Sequence, residues 1–371
     1  MINDYMGIIS LIDDDSNIKS LTRNRQLASI PIAGRYRIID FTLSNMVNSG
    51  VRNIGIFTNS NSRSLMDHLG SGKDWDLDRR RNGLFIFNTH NTISNRSDIT
   101  LIKDNIEYLH RSHQSHVIYS YSNMICNIDY KKAIEFHEKS KSDVTLISKN
   151  IKNGKISFLG NQTLNLDENK KVLSVGNNIG SQDELTVYAN MFIINKEVLI
   201  SILSECISTG YYTTVSEYIN ENINKLSVNA FELDCYLEKV DSIENYYKIN
   251  MDMLKTKTNK ELFFADRTIY TKVKDAPPTK YTDISSVNNS MVANGCIIDG
   301  YVENSIVSRR VIIEKGAVVK NSIIMQNCII KENARLENVI LDKNVILEKG
   351  KELKGDSENP VVIEKRHYYT R

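Results

Sequence analysis

No CxxC pair occurs in this sequence. Its five cysteines, Cys126, Cys206, Cys235, Cys296 and Cys328, are odd in number and widely spaced. That excludes a disulfide framework and a cysteine-based zinc site, and it fits reduced thiols in a cytoplasm. No apolar run nears the roughly 20 residues that cross a bilayer. The N-terminus has no basic stretch leading into an apolar segment and a cleavage site, so neither a membrane span nor a secretory signal is expected. No sign of charge is in excess. The 47 Lys and Arg against 45 Asp and Glu leave a net +2, a balance that calls for neither nucleic acid nor membrane as a partner. What is present is ordinary globular composition, 41% hydrophobic and 25% charged, over 371 residues. That length is too great for one core, so two domains are expected.

The first part of the chain alternates short apolar runs with helical patterns. Ile8-Ile9-Ser10-Leu11-Ile12 reads as a buried strand. Ser44 to Ser49 reads as a helix ended by Gly50. Ile54-Gly55-Ile56-Phe57 follows as a strand and Ser62 to Leu69 as a helix closed by Gly70. Ile102, Ile106, Leu109 and His113 fall at helical spacing, then Val117 to Ser120 reads as a strand. Tyr130 to Lys139 (helix), Val144 to Ile147 and Asn190 to Ile194 (strands), Lys196 to Ser204 and Ile243 to Lys255 (helices) complete the pattern. Such alternation implies a doubly wound α/β domain, a parallel sheet covered by helices on both faces, over residues 1–255. A linker, 256–284, holds Pro277 and Pro278, two of only four prolines.

Beyond it, over 285–371, the period changes. Ile306, Ile312, Val318, Ile324, Ile330 and Leu336 recur at steps of six, with Val307, Ile313 and Val319 beside them and Val339 and Val345 again six apart. With turn-formers Gly316, Asn321, Asn327 and Asn333, this hexapeptide pattern signals a parallel β-helix whose stacked coils share one core. A β-sandwich would not keep so strict a period. Assembly through such a domain is expected.

Two stretches carry a family resemblance. Ile30-Pro31-Ile32-Ala33-Gly34-Arg35-Tyr36-Arg37-Ile38-Ile39-Asp40-Phe41-Thr42-Leu43-Ser44-Asn45, running on to Gly50, resembles the opening of the sugar-1-phosphate nucleotidyltransferases, within them the bacterial ADP-glucose pyrophosphorylases. Ser120 to Tyr130 resembles that family's LSGDHIYKMDY. The resemblance implies a Rossmann-like nucleotidyltransferase domain followed by a left-handed β-helix. It also implies a reaction that joins a sugar-1-phosphate to the α-phosphorus of a nucleoside triphosphate with release of pyrophosphate. That chemistry asks for a glycine-rich loop, carboxylates that hold Mg²⁺, and cations over the remaining phosphates.

Those parts are missing. The family loop LAGGxGxRLxxLTxxRAKP, laid on Leu21-Thr22 and Arg25, puts its glycines on Ile12, Asp13 and Asp15 and its arginine on Asn17. Asp13, Asp14 and Asp15 would face a polyanion, and a like-charge pair about 4 Å apart costs about 1 kcal/mol even in water. The family's metal-binding aspartate falls on Asn123, and the second, from YWRDVGT, on Lys239. A slip of the register offers Glu238 or Asp241 there. Asp129 survives and is expected to cap the next helix. The lysine of EKP corresponds to the region Gly176-Asn177-Asn178, and GTADA has no clear match around Arg96-Ser97-Asp98-Ile99.

A scaffold kept while its chemistry decays resembles the GlgD-type, non-catalytic subunits of that family, as do Gly70 to Leu84 and Ser122 to Tyr130. The resemblance implies a regulatory, catalytically impaired subunit in bacterial glycogen synthesis. It implies no cofactor here and Mg²⁺ on a catalytic partner. The partner would be the catalytic ADP-glucose pyrophosphorylase subunit in a hetero-oligomer, a tetramer, with a homo-oligomer as the state of the chain alone.

Arg35 and Arg37 are candidate effector-facing cations or structural ion-pair partners. Trp75, Arg79, Arg80 and Arg81 are candidates for a subunit contact or an allosteric site. His110, His113 and His116 invite a metal site but read better as a solvated face. Three other functions stay open: an active glucose-1-phosphate adenylyltransferase with an altered site, a pure scaffold, and a hexapeptide acyltransferase. The last needs a histidine base, and only His367 follows residue 137.

Overall fold

The computed structural model of the chain describes residues 2–58, 62–88 and 97–365. Contacts divide it into two compact units that interleave along the chain. One gathers Met1–Asp13, Phe41–Lys239 and Arg267–Tyr270, the other Asp14–Asp40, Val240–Asp266 and Thr271–Arg371.

The first unit is built on a nine-stranded sheet. Its strands are β1 (Tyr5–Ser10), β2 (Asn53–Thr58), β3 (Gly83–Asn88), β4 (His116–Tyr121), β5 (Val144–Ile151), β6 (Gln162–Leu166), β7 (Val172–Asn177), β8 (Leu185–Asn195) and β9 (Val228–Glu232). The order is β7-β6-β8-β4-β1-β2-β3, with β5 branching from β8 and β9 pairing with β5. β1, β2, β3 and β4 run parallel, as the apolar runs suggest. The sheet as a whole is mixed, because β8 is antiparallel to β4, β5 and β6. β8 is amphipathic at its start and apolar at its end, and periodicity alone carries no sign of strand direction.

The helices are α1 (Ile38–Asn48), α2 (Arg63–Leu69), α3 (Asp98–Asp104), α4 (Glu107–Arg111), α5 (Tyr130–Ser140), α6 (Lys196–Thr209) and α7 (Val215–Glu221). The helix expected over 102–113 is two short ones, broken where the Asn105 side chain turns back to donate to the Leu101 carbonyl. Asp129 caps α5 as expected, accepting from the Lys131 amide at 3.1 Å.

His137, on α5, is buried in this unit. Its Nδ1 shares a 2.7 Å hydrogen bond with Thr145 Oγ1, and the His116 ring meets it edge-on. Burial first, then the neighbouring His116, pushes its pKa from 6.5 down to about 4. Between those values the unfolded chain holds a proton that the folded chain refuses, so stability must fall as the pH is lowered through this window. Denaturant unfolding at pH 7 and pH 4.5 should show a loss of up to about 3 kcal/mol that is largely absent in His137→Leu. Equal losses in both proteins would contradict the assignment.

The second unit holds the β-helix, three parallel sheets of five short strands each. With the hexapeptide pattern, this is the left-handed parallel β-helix that the sequence suggested. Partner strands in the later coils lie 17 residues apart, Ile306 beside Ile323 and Ile323 beside Ile340. The core row is Val302, Val307, Ile313, Val319, Ile324, Ile330, Leu336, Leu341 and Leu347, which steps by five, six and six. The strict six read from Ile306 to Leu336 therefore crosses from the outer row to the inner row between Val318 and Ile324. One corner per coil is a residue short, and Asn304, Asn321 and Asn338 take positive φ there (46°, 45° and 53°). Asparagine tolerates that conformation better than most residues.

The outer isoleucines Ile306, Ile323 and Ile340 are nonetheless buried. Segment 14–40 covers this face of the β-helix: Gly34 backs onto the Val307 carbonyl and Ile306, and Arg25 pairs with Asp342 in full burial. Helix α8 (Ile243–Asp252) locks the same segment, Tyr246 donating to the Pro31 carbonyl and Asn250 accepting from the Ala33 amide. Asp342→Asn leaves the Arg25 guanidinium buried without its counter-charge and should cost about 3–5 kcal/mol of unfolding free energy. A loss below about 1 kcal/mol would show that the pair is not needed.

Candidate functional site

In the parallel part of the sheet, loops that follow the C-terminal strand ends are where ligands are handled. β1 ends at Ser10, and Leu11 extends beside β2 through its amide bond to the Phe57 carbonyl. Ile12 and Asp13 follow, half-buried. Asp13 Oδ2 accepts the Ser122 hydroxyl at 2.6 Å, from the chain just past β4. In the second unit, Asp14 accepts both the amide and the hydroxyl of Ser16, and Asp15 pairs with Lys19 at 2.7 Å. Asn17 is exposed in the short turn that follows.

The three aspartates are thus structural, each occupied by a local donor. No residue from Ile12 to Asn17 has a positive φ. The run of amides that cradles phosphates needs alternation with left-handed residues, so these residues do not form a phosphate nest.

Asn123, directly after β4, is 7% exposed. Its Oδ1 lies 3.4 Å from the Asn190 amide nitrogen, and Asn190 sits with φ of 53° in the irregular stretch of β8. The strand Leu237–Lys239 runs antiparallel to Met124–Cys126 with Lys239 opposite Met124, so positions 123 and 239 are neighbours. The Lys239 ammonium donates to Asn161 Oδ1 at 2.5 Å. The Asn161 amide nitrogen is buried without a hydrogen-bond partner.

A magnesium ion takes oxygen ligands with anionic charge. An amide at 123 and an ammonium at 239 do not fit it, since the ammonium itself is a cation. Among the described residues no group of three His, Cys, Asp or Glu could hold a metal ion. Of the alternative carboxylates, Asp241 belongs to the second unit and accepts from Asn245 at 2.6 Å, just before α8. Glu238 is engaged in an interaction of its own.

Two further positions act structurally. Asn178 donates to the carbonyls of Gly154, Ser157 and Phe158 and accepts from the Gly180 amide, which sets the loop before β6. Asp98 is fully buried at the start of α3. It accepts from the Tyr119 and Tyr121 hydroxyls at 2.6 and 2.7 Å and from the Val215 amide, tying α3, β4 and α7 together. Burial pushes its carboxyl up, against the hydroxyls and amides that favour the charged form. Arg96 and His367 lie outside the described residues. His110, His113 and His116 do not converge: the first two are exposed, while His116 stacks on Tyr5 inside the fold.

Trp75 is a core residue, 1% exposed, its indole N–H directed at Ser44 Oγ. It therefore offers no surface to a partner or effector, contrary to the expectation from its charged neighbours. Arg79 is held by Asp76, while Arg80 and Arg81 are exposed.

The second unit gathers cations that sequence reading largely missed. Arg37 and Arg25 surround Lys343, and Arg37, Arg309, Lys272 and Arg310 surround Lys274. Burial first, then these cations, pushes Lys343 from 10.5 down to about 7. Arg309, 8% exposed, is lowered by burial and by Arg35. Arg35 itself stacks over the Tyr36 ring. Arg37 gives its amide to Asp40 at the start of α1. Only the β-helix coils bring 309, 310 and 343 beside 35, 37 and 274, so no local pattern could have shown the cluster.

Comparison with known proteins agrees with this architecture. Residues 16–174 match the nucleotidyl transferase family and residues 277–367 the GlmU-like C-terminal hexapeptide family. The chain is 36% identical to the glycogen biosynthesis protein GlgD of Bacillus subtilis over 366 residues, 98% of this chain and 96% of that protein. It is 38% identical to that of Geobacillus stearothermophilus over 369 residues, 98% and 97% of the two chains. The chain belongs to the GlgD family. A glucose-1-phosphate adenylyltransferase of Mycoplasma mobile is 29% identical over 313 residues, 82% of this chain and 81% of that enzyme. The GlgD relatives are thus matched at higher identity and greater coverage than this enzyme.

The crowded cations make a specific demand. With Lys343 folded at about 7 and unfolded near 10.5, the folded chain holds fewer protons than the unfolded one in that window. Stability from this group therefore rises from pH 7 toward 10.5 and is lower below it. An anion seated among the cations should relieve the strain. In low-salt buffer at pH 7, Lys343→Met should raise the melting temperature by about 1–3 °C and weaken the stabilisation that inorganic phosphate gives the native protein. A lower melting temperature with an unchanged phosphate effect would contradict this.

Proposed function

We propose that this GlgD-family chain is a regulatory, catalytically impaired subunit of glucose-1-phosphate adenylyltransferase in glycogen biosynthesis. It acts in the cytoplasm on a catalytic homologue in a hetero-oligomer. The observation that carries the reading is the Lys239 ammonium, bonded to Asn161 and borne by the residue that pairs with Met124, next in chain to Asn123, at positions where the resemblance puts the metal-binding carboxylates of the family's enzymes. The altered loop supports it independently: Asp13, Asp14 and Asp15 each have local donors, and no phosphate nest forms there. In this reading Mg²⁺ belongs to the partner's site. The chain contributes its fold and the cation cluster around Lys343, whose chemistry suits a phosphate-bearing effector. The β-helix, with coils that stack on their neighbours, supports assembly into a tetramer.

The test is ADP-glucose formation from ATP, Mg²⁺ and glucose-1-phosphate, by this chain alone and mixed with its catalytic homologue. The reading expects no turnover alone and a changed rate or substrate affinity in the mixture. Asn123→Asp should stay at least about a thousandfold below the homologue, because the loop and Lys239 remain. Clear turnover by the pure chain, or strong activity in the single variant, would favour an active enzyme with an altered site.

A further inference from the structure

At the opposite end of the sheet from Asn123, where β2, β3 and β4 begin, the first unit holds a cavity of about 820 Å³. Its lining runs from Asn53 and Arg81 at the strand entrances up to Phe87, which pairs with Phe57, and includes neither Asn123 nor Lys239. Among the described residues, β3 is the last strand of its sheet and pairs with β2 alone. Its Phe85 and Phe87 lie on one face, their rings nearly parallel, with centroids 6.4 Å apart. Tyr108 of α4 walls the platform, its ring tilted by 52° from Phe85 and 55° from Phe87 at centroid distances of 5.4 and 5.1 Å.

The platform is built rather than incidental. Tyr108 rests on β2 where Gly55 leaves room; a Cβ there would come within 2.6 Å of its ring. Its hydroxyl donates to Asn53 Oδ1 at 3.1 Å, and the Asn53 amide is in turn fixed by Ser112 and Gln114. Yet Phe85 remains 41% exposed. A fixed aromatic surface facing an open cavity has stacking capacity that the fold itself does not use.

The rim supplies polar groups of both kinds. Arg111 is paired with Glu107 at 3.1 Å. Arg81, at the entrance to β3, has no ion-pair partner among the described residues, and Asp104, on the same lining, has none either. A flat ring needs the platform, an anion needs Arg81, and hydroxyl or ring N–H donors need Asp104.

We propose that this cavity is a binding site for a mononucleotide, the base stacked on the parallel Phe85 and Phe87 rings with the tilted Tyr108 against its edge, the phosphate on Arg81 and the sugar hydroxyls on Asp104. The site is separate from the altered nucleotidyltransferase site. It needs no metal and does not depend on the function proposed above. The volume falls within the range of about 300–1,000 Å³ common for small-molecule pockets.

Isothermal titration of the full-length chain alone, without its partner, tests this with AMP, GMP and UMP, and with ribose 5-phosphate as the ring-free control. At least one nucleotide should bind with a dissociation constant below about 1 mM. Phe85→Ala and Arg81→Ala, both at exposed positions, should each weaken it by about tenfold or more with an unchanged melting temperature. Ribose 5-phosphate should bind at least about tenfold more weakly, and Lys343→Met should leave nucleotide binding intact. Absence of binding for all three nucleotides, equal affinity in both pocket variants, or ribose 5-phosphate binding as tightly as the best nucleotide would each overturn the proposal. Loss of binding in Lys343→Met would do the same, by placing the ligand among the cations of the other unit.

Discussion

The pairing of Leu237–Lys239 with Met124–Cys126 is the constraint on which the candidate site depends. A two-strand ladder fixes which backbone positions stand side by side, whatever side chains they carry. Here it sets residue 239 opposite residue 124, one position along from Asn123. With carboxylates at both positions, two anions would converge and invite a divalent cation. With an amide and an ammonium, the same backbone carries its own positive charge, answered by Asn161. The same ladder accommodates either set of side chains.

The neighbouring loop follows the same logic. Phosphate binding needs backbone amides presented in concert, and glycine makes that conformation accessible. Aspartate at these positions turns the local hydrogen bonds inward: Ser16 serves Asp14, Ser122 serves Asp13 and Lys19 serves Asp15. The second unit concentrates cations instead. Crowding half-buried Lys343 and exposed Lys274 among arginines is costly in an isolated chain, and Arg25 with Asp342 is a buried pair that balances charge in that unit. A group of cations held by covalently distant coils is suited to sensing an anion; the loop with three aspartates is suited to excluding one.

Much of this was legible in the sequence, for local reasons. Short apolar runs located β1, β2, β4 and β5, the carboxylate of Asp129 announced its helix cap, and the hexapeptide period announced the β-helix. The proximity of positions 123 and 239 could be expected from the sequence only through the resemblance, because flanking residues set the register; the ladder between 124–126 and 237–239 supplies it in the structure. Other features depended on partners far along the chain. The antiparallel course of β8 follows from its neighbours and not from its own alternation. The five-residue step at the asparagine corners shifts the buried row, which a period counted on the outer isoleucines cannot reveal. Trp75 sits among charged residues in sequence but beside Ser44 and His68 in space. The cations at 274, 309, 310 and 343 and the platform of Phe85, Phe87 and Tyr108 converge only through the folded topology.

The central claim is that the catalytic position has exchanged its metal chemistry for an internal cation. The most direct test is a titration of the purified chain with Mn²⁺, a spectroscopic substitute for Mg²⁺, followed by electron paramagnetic resonance in the presence of glucose-1-phosphate. The native protein should show no protein-bound Mn²⁺ at sub-millimolar metal, while the double variant Asn123→Asp, Lys239→Asp should acquire one site. Stoichiometric Mn²⁺ binding by the native chain, abolished by a change at Asn123 or Glu238, would contradict the account.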